Sequence, residues 1–197
     1  MSLPTIILIR HGQTLWNAEG RYQGQLNSDL TELGQKQAIE NGLKVAKAIK
    51  LDKPFTFYSS PLGRAKETSL IICDELNLDR GNIIFDNRVQ EVSYGIFEGK
   101  TKEFCKVEYE KEFKAREDNK WSYVLEGGES YEMVTERLKL WLDSIKDERR
   151  VVLVAHEMIS RALRGIYCNY PIEKMLKLEH KNDIVLKLEN SREYIVE

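Results

Sequence analysis

Two short, continuously apolar segments, far apart in the chain, constrain its fold more than any other feature. They are residues 6–9 and residues 151–155, and both consist of branched, leucine or alanine side chains. Such runs bounded by polar residues are typical of strands buried on both faces, as in a parallel sheet. A histidine follows each run, His11 after Arg10 and His156 directly. We therefore predict that both histidines lie in the crevice beyond the carboxyl ends of the strands.

The rest of the chain alternates between helical and extended patterns. Such alternation predicts an α/β fold, a three-layer α/β/α sandwich with a mostly parallel sheet. Asn190 and Ser191 separate the last two strands, which predicts an antiparallel hairpin at one edge of the sheet. Ser60 and Pro61 form a predicted helix start, with serine as cap and proline at the first helical position. The predicted helices cover about 32–50, 62–76, 101–118, 130–145 and 159–167, and the further strands cover 55–58, 83–85, 183–188 and 193–196.

Length and composition narrow the class of protein. The 197 residues fit one domain, 1–197, and a net charge of −2 gives no general attraction for nucleic acid. No apolar run approaches the roughly 18 residues of a membrane span, and the amino terminus lacks the pattern of a secretory signal. Cys73, Cys105 and Cys168 are widely separated and outside CxxC patterns. They predict reduced thiols in the cytoplasm, without a disulfide framework or a metal site.

The crevice at the strand ends can also receive two arginines. Arg10 directly precedes His11, and Arg64 falls in the first turn of the predicted helix 62–76. Cations are disfavoured at a helix amino terminus, so Arg64 needs another reason, such as a bound anion. Guanidinium groups match phosphate oxygens bidentately, and therefore His11, His156 and the two arginines predict a phosphate site.

Phosphoryl transfer needs a nucleophile and a proton donor at such a site. A neutral imidazole is a competent nucleophile toward phosphorus when an acceptor fixes its other nitrogen, and His11 is the candidate. Glu91, in a glycine-containing loop over 88–100, is the best candidate for the proton donor. Burial near the phosphate would raise its pKa, so that it acts first as an acid and then as a base toward water. The third histidine, His180, lies in a charged loop, and we predict that it is at the surface.

The order of these residues and of several short motifs resembles the histidine phosphatase superfamily, also called the phosphoglycerate mutase-like family. The resemblance covers about residues 5–165 and implies that fold. It implies that His11 is phosphorylated, that Arg10, Arg64 and His156 bind the phosphate, and that Glu91 donates the proton. It adds Asn17 and Gln23 as polar contacts to the substrate. The motifs are Arg10-His11-Gly12-x-Thr14-x-Trp16-Asn17, Ser59-Ser60-Pro61-x-x-Arg64-Ala65, Glu91-x-x-x-Gly95-x-x-Glu98-Gly99-Lys100, Gly128-Glu129-Ser130 and Ala155-His156.

Two positions near the site leave alternatives open. Tyr94 is either a wall of the substrate pocket or an anchor of its loop. Glu157 stands where the family usually has glycine after the second histidine. A carboxylate there would repel phosphate, so either Glu157 turns outward or the pocket favours a substrate with a cationic or hydroxyl-rich part.

The resemblance leads to three functional hypotheses. The first is a phosphomonoester hydrolase for a small phosphorylated metabolite, which uses neither a metal nor a cofactor. The second is a cofactor-dependent phosphoglycerate mutase, although the chain is short and lacks the insertion expected of the mutases. The third is a catalytically silent module that binds phosphorylated ligands. The sequence leaves the oligomeric state open, a homodimer included.

Overall fold

The structure is a computed structural model that describes residues 3–49 and 53–197. Within these ranges six strands form one sheet, with the spatial order β3-β2-β4-β1-β5-β6. The first four strands pair in parallel, whereas β5 and β6 are antiparallel and form one edge. The predicted mostly parallel sheet with an antiparallel hairpin edge is confirmed. The strands are β1 (Thr5–Arg10), β2 (Thr56–Ser59), β3 (Ile83–Phe85), β4 (Arg150–Ala155), β5 (Val185–Glu189) and β6 (Arg192–Val196).

The helices follow the predicted alternation, although some of their bounds differ. The charged segment forms two helices, because the backbone departs from helical angles at Tyr109 (φ −127°, ψ 46°). The predicted end of the first long helix, at residue 50, lies outside the described residues. The α-helices of the described ranges are α1 (Leu15–Ala18), α2 (Glu32–Ile49), α3 (Gly63–Glu75), α4 (Lys102–Glu108), α5 (Glu110–Asp118), α6 (Tyr131–Ser144), α7 (Glu157–Tyr167) and α8 (Ile172–Met175).

Alternate side chains of β1 enter two different cores. Ile6 and Leu8 pack into a cluster with residues of α6 and α7, which includes the fully buried Trp141. Ile7 and Ile9 pack on the opposite face, against α2 and α3. Burial of each such side chain stabilises the fold by about 1.5–3 kcal/mol. The sheet therefore lies between two helical layers, and the predicted three-layer sandwich is confirmed.

The start of α3 differs from the prediction. The helix begins at Gly63, and neither Ser60 nor Pro61 occupies its first turn. The cap comes from elsewhere in the chain, because Oδ1 of Asn27 accepts a hydrogen bond of 2.8 Å from the backbone N–H of Arg64. A local serine–proline pattern predicted the region of the helix start, but the capping oxygen is supplied by a loop that is distant in sequence.

A third, smaller cluster lies beside the carboxyl ends of the strands. It consists of buried side chains from the loops and from α4, with Tyr109 and Phe113 packed against it. This cluster fixes α4 and α5 against the loop that carries Tyr94. The charged segment 101–118 is therefore held at one side of the crevice. The buried members are Tyr22, Phe97, Cys105 and Leu125.

Candidate active site

The register of the two central strands brings the two histidines together. Arg10 of β1 is the partner of Ala155 of β4, so the next residue of each strand is a histidine. The backbone N–H of His11 continues the pairing with a hydrogen bond of 3.0 Å to the carbonyl of Ala155. The ring centroids of His11 and His156 are 5.2 Å apart, and both side chains are buried.

The contacts of His11 define its tautomer. Nδ1 lies 2.7 Å from the carbonyl oxygen of Gly12, which can only accept, so Nδ1 carries the proton. Nε2 lies 3.2 Å from Nε of Arg64, which can only donate, so Nε2 presents its lone pair. Burial, followed by the charges of Arg64 and Arg10, holds the pKa of His11 well below its usual range. His11 is therefore a neutral imidazole with a lone pair that faces a cation.

Arg64 is held rigidly in the first turn of α3. Its two terminal nitrogens donate hydrogen bonds of 2.7 and 2.8 Å to the carbonyls of Leu26 and Gly24. Burial lowers the pKa of this guanidinium to about 10, which leaves it charged at neutral pH. The first turn of α3 therefore presents a buried positive charge to His11.

His156 precedes α7 and contacts the residue that follows a third strand of the sheet, β2. Its Nε2 lies 2.8 Å from Oγ of Ser60, which follows β2. Its Nδ1 is buried and has no hydrogen-bond partner within residues 3–49 and 53–197. Burial, with the charges of Arg64 and His11, keeps the pKa of His156 well below the usual value. An unpaired buried nitrogen costs about 1–3 kcal/mol, which a hydrogen-bonding ligand would offset.

Glu91 lies buried in the same crevice. Its carboxylate accepts hydrogen bonds from the backbone N–H groups of Val92 (3.0 Å) and Met158 (3.4 Å). Burial raises the pKa of Glu91, although the positive charge of Arg64 acts in the opposite direction. Arg137 donates a hydrogen bond of 3.2 Å to the backbone carbonyl of Glu91 and so supports the loop. A carboxyl group with a raised pKa at this position has the protonation behaviour of a general acid.

Glu157 turns toward the crevice, so the alternative in which its carboxylate turns outward is not what the structure has. One carboxylate oxygen, Oε2, lies 2.9 Å from Nη1 of Arg10. The other oxygen, Oε1, contacts Arg161 one helical turn further along α7. Nη1 of Arg10 also donates a hydrogen bond of 2.8 Å to the carbonyl of His180. A negative charge therefore sits on one of the two arginines predicted to bind phosphate.

A cavity of about 120 Å³ opens among these residues. Asn17 lines it while its side-chain oxygen accepts a hydrogen bond of 3.2 Å from the backbone of Thr14, which stabilises the short helix α1. Oε1 of Gln23 is buried with no partner in the described ranges. His156 lies behind this lining, next to His11. The predicted site residues that line the cavity are Arg10, His11, Asn17, Gln23, Arg64, Glu91, Tyr94 and Glu157.

A second cavity of about 240 Å³ adjoins the first and shares Tyr94 with it. Four cationic side chains line it, namely Lys102, Arg116, Lys120 and Arg161. The guanidinium of Arg116 lies 5.0 Å from the centroid of the Tyr94 ring. Tyr94 is thus a wall shared by both cavities. No sequence pattern singled out Lys102 or Arg116 within the predicted helix 101–118.

The prediction that His180 lies at the surface is wrong. It is buried, with Nδ1 2.7 Å from Oγ of Ser160 and Nε2 2.9 Å from the carbonyl of Ile184. Two residues further on, Nδ2 of Asn182 donates a hydrogen bond of 2.7 Å to the carbonyl of His11. The charged loop folds back over the end of β1. It therefore supports the backbone on which His11 stands.

Cavity size alone does not single out this site. A larger cavity of about 510 Å³ lies near the amino end of β2, and neither histidine nor arginine is among its described lining residues. In the part of the chain that the structure describes, no three His, Cys, Asp or Glu side chains form a cluster that could hold a metal ion. None of the helices in residues 3–49 and 53–197 has both the length and the apolar character of a membrane span.

The fold and the clustered histidines, arginines and glutamate define a known class of phosphoryl-transfer protein. A sequence model of the histidine phosphatase superfamily (branch 1) matches residues 6–196. The chain therefore belongs to the histidine phosphatase superfamily.

Three relatives illustrate the range of proteins that this chain resembles. Phosphoserine phosphatase 1 of Hydrogenobacter thermophilus is 30% identical over 198 residues, which cover 93% of this chain and 90% of that protein. A probable phosphoglycerate mutase of Erwinia tasmaniensis is 30% identical over 191 residues, with 95% and 85% covered. A mycobacterial glucosyl-3-phosphoglycerate phosphatase in complex with VO3 has a TM-score of 0.79 and 25% identity, with 98% of this chain and 97% of that chain covered.

Proposed function

We propose that this chain hydrolyses phosphomonoesters of small metabolites through a phosphohistidine on His11. The observation that carries the proposal is the geometry of His11. Its Nδ1 proton is held by the carbonyl of Gly12, and its Nε2 lone pair faces the guanidinium of Arg64 at 3.2 Å. The nucleophilic atom is thus oriented beside a cation that can bind the phosphoryl oxygens.

The first step transfers the phosphoryl group to the enzyme. Nε2 of His11 attacks phosphorus and forms an N–P bond, and the bond from phosphorus to the ester oxygen breaks. The carboxyl proton of Glu91 passes to that oxygen, so the alcohol leaves neutral. The raised pKa of Glu91 supports this role, because it keeps a larger fraction of the carboxyl protonated.

The second step releases phosphate. The carboxylate of Glu91 removes a proton from a water molecule whose oxygen attacks phosphorus. The N–P bond breaks, its electron pair returns to Nε2 of His11, and Glu91 is protonated for the next cycle. One carboxyl group therefore serves as acid and then as base, and no metal or cofactor is required by this scheme.

The remaining predicted residues bind the phosphoryl group in this proposal. Arg10, Arg64 and His156 would contact its oxygens, and Asn17 and Gln23 would add neutral hydrogen bonds. The buried, unpaired atoms support the assignment, since Nε of Arg10, Oε1 of Gln23 and Nδ1 of His156 lack partners in the described residues. A bound phosphate or ordered water would satisfy such atoms.

The second cavity indicates the chemistry of the alcohol. Its four cations outnumber its two carboxylates, Glu117 and Glu157. An alcohol that carries an anionic group such as a carboxylate would complement this surface. The relatives named for phosphoserine and for glucosyl-3-phosphoglycerate support this choice, because both of those esters carry a carboxylate. We therefore propose a phosphorylated hydroxy acid or amino acid as the substrate class, in which a hydroxyl or ammonium group would lie beside the inward carboxylate of Glu157.

A mutase activity is the second candidate, and the relative named as a probable phosphoglycerate mutase favours it. A mutase returns the phosphoryl group to the alcohol, whereas a phosphatase gives it to water. The two activities therefore require the same residues around His11 and differ in access of water to the phosphohistidine.

The test uses chelator-treated protein with p-nitrophenyl phosphate, phosphoserine and 3-phosphoglycerate. We expect release of inorganic phosphate and an acid-labile phosphoenzyme that is absent in His11→Ala. Conversion of 3-phosphoglycerate to 2-phosphoglycerate without phosphate release would make the mutase the correct assignment. Phosphate binding without any phosphoenzyme would instead identify a silent binding module.

The cellular setting is part of the same proposal. We infer one domain that works in the cytoplasm on a small-molecule substrate, without nucleic acid or membrane as partner. The three free cysteines are buried and do not pair with one another, which is consistent with a reducing compartment.

A further inference from the structure

The carboxylate of Glu157 lies against Arg10, one of the two arginines that we propose to bind phosphate. Oε2 lies 2.9 Å from Nη1 of Arg10, and the two side chains are 28% and 13% exposed. We propose that Glu157 is an internal competitor for phosphate, which partly neutralises Arg10 in the free enzyme and opposes binding of a phosphoryl group. This inference rests on the proposed function for the role of Arg10, and it adds a determinant of affinity to the same site.

The hydrogen-bond partners of Arg10 support this competition. Nη1 already donates to the carbonyl of His180 and contacts the carboxylate of Glu157. Nε is buried and lacks a partner in the described residues. A phosphoryl group on the edge formed by Nη1 and Nη2 would share or displace the contact with Glu157, whereas one on the edge formed by Nε and Nη2 would bind beside the carboxylate and be repelled by it. The carboxylate therefore weakens the site for anions without removing it.

Arg161 determines how firmly Glu157 holds its position. It contacts Oε1 of Glu157 from one turn further along α7 and also lines the second cavity. The carboxylate is thus shared between a phosphate-binding arginine and an arginine of the alcohol pocket. When phosphate takes Arg10, Arg161 remains as a partner for the displaced carboxylate. Arg10 and Arg161 thus provide two alternative partners for the carboxylate of Glu157.

A purely structural role for Glu157 has a different signature. Acidic residues in the first turn of a helix stabilise it through the helix dipole, and Glu157 is the first residue of α7. That role would appear in thermal stability and would leave anion affinity unchanged. Competition at Arg10 instead predicts a change in phosphate affinity. Removal of the negative charge of Glu157 should increase the affinity, and removal of the positive charge of Arg161 should decrease it.

The experiment measures binding of inorganic phosphate by calorimetry at low ionic strength, where screening is weak. In Glu157→Gln we expect the Kd for phosphate to fall by about tenfold, because the repulsion between carboxylate and phosphate is removed. Glu157→Asp keeps the charge but shortens the side chain by one methylene, so we expect a weaker contact with Arg10 and tighter binding of phosphate than in the wild type. The matched control is Glu173→Gln, an exposed acidic residue in the first turn of α8.

We expect Arg161→Gln to change the Kd for phosphate in the opposite direction. Without its second partner the carboxylate should stay on Arg10, and the Kd for phosphate should rise. In the double variant Glu157→Gln/Arg161→Gln the effect of Arg161→Gln should be much smaller. An unchanged or raised Kd in folded Glu157→Gln and Glu157→Asp would overturn the inference, as would equal effects of Arg161→Gln in both backgrounds. The binding assay needs no turnover, so lack of hydrolysis would count against the proposed function alone.

Discussion

Nε of Arg64 donates a hydrogen bond of 3.2 Å to Nε2 of His11, the atom that carries the lone pair of the neutral imidazole. In the free enzyme the nucleophilic atom is therefore held by the same guanidinium that would bind the phosphoryl oxygens. A bound phosphoryl group can take over this N–H as the lone pair turns to phosphorus. The contact couples binding of the anion to release of the nucleophile.

The contact with His11 indicates that the hydrogen-bond geometry of Arg64 matters as well as its positive charge. In Arg64→Lys the charge is kept, but the fork that bonds His11, Gly24 and Leu26 is lost. We expect kcat/KM for p-nitrophenyl phosphate to fall by about 10²–10³, as for loss of an oriented charged donor. Arg88→Lys, which alters an ion pair with Asp86 away from the cavity, is the matched control. A value of kcat/KM within threefold of wild type in Arg64→Lys would contradict this role.

The proton donor is tested by the choice of leaving group. An alkyl alcohol needs a proton as it leaves, whereas p-nitrophenolate does not. In Glu91→Gln we therefore expect phosphoenzyme formation from an alkyl phosphate to slow by about 10²–10⁴ and formation from p-nitrophenyl phosphate to change by less than about tenfold. Because the second step also uses Glu91, the variant should give a burst of one p-nitrophenol per site. Equal losses for both substrates, without a burst, would show that Glu91 is not the donor.

The pH dependence follows from the same group. Glu91 must be protonated to act as the acid, and burial raises its pKa. With an alkyl phosphate, kcat/KM should therefore decline as pH rises through this raised pKa. The pKa of His11 is lowered, so the nucleophile should stay neutral below the usual histidine range and no acidic limb should appear near 6.5. A profile of kcat/KM against pH for wild type and Glu91→Gln checks both points, and the alkaline decline should be absent in the variant.

The sequence allowed the centre of the site to be predicted because its residues follow recognisable patterns. His11 and His156 each end a continuously apolar run, and strand register then brings them together. Other features of the site depend on contacts between loops that are distant in sequence, and such contacts leave no local sequence pattern. The cap that Asn27 supplies to α3 and the buried position of His180 belong to this group. The positive lining of the second cavity likewise combines side chains from α4, α5, α7 and the segment after α5.

His180 provides a test of this buried loop through acid stability. Burial lowers its pKa from 6.5 to about 3 in the folded protein. Below pH 6.5 the unfolded chain binds a proton that the folded chain does not, so the contribution to stability is complete above 6.5 and is lost as pH falls. The slope from this group is about 1.4 kcal/mol per pH unit between those values.

His180→Asn removes this pH-dependent contribution to the free energy of unfolding. The variant also loses the hydrogen bonds to Ser160 and Ile184. We expect the variant to be less stable than wild type at pH 7.5, with a difference that shrinks by about 1.4 kcal/mol per unit on lowering the pH from 6 to 4.5. Urea unfolding at each pH measures the difference. The lowered pKa values of His11 and His156 act in both proteins and cancel. Parallel stability curves would show that His180 is accessible to protons when folded.

The backbone after His11 depends on a close approach of two glycines. A Cβ built on Gly12 would lie 2.2 Å from the carbonyl oxygen of Gly34, and a Cβ on Gly34 would lie 2.1 Å from the carbonyl oxygen of Gln13. Both contacts are with backbone atoms, so no side-chain rotation relieves them. The first turn of α2 therefore packs directly on the loop that follows His11.

Gly34→Ala should force these two segments apart. We expect a loss of about 1–3 kcal/mol in the free energy of unfolding, as for overpacking, together with a fall in kcat because His11 shifts. Gly42→Ala, in the same helix, is the control, because its Cβ would meet the side chain of Glu75 at an ordinary 3.6 Å. Replacement of a helical glycine by alanine there should stabilise the protein by about 0.5–1 kcal/mol and leave kcat unchanged. Urea unfolding measures both changes in the free energy of unfolding. If both variants were stabilised or both destabilised, the packing of α2 on the loop after His11 would not be the constraint described.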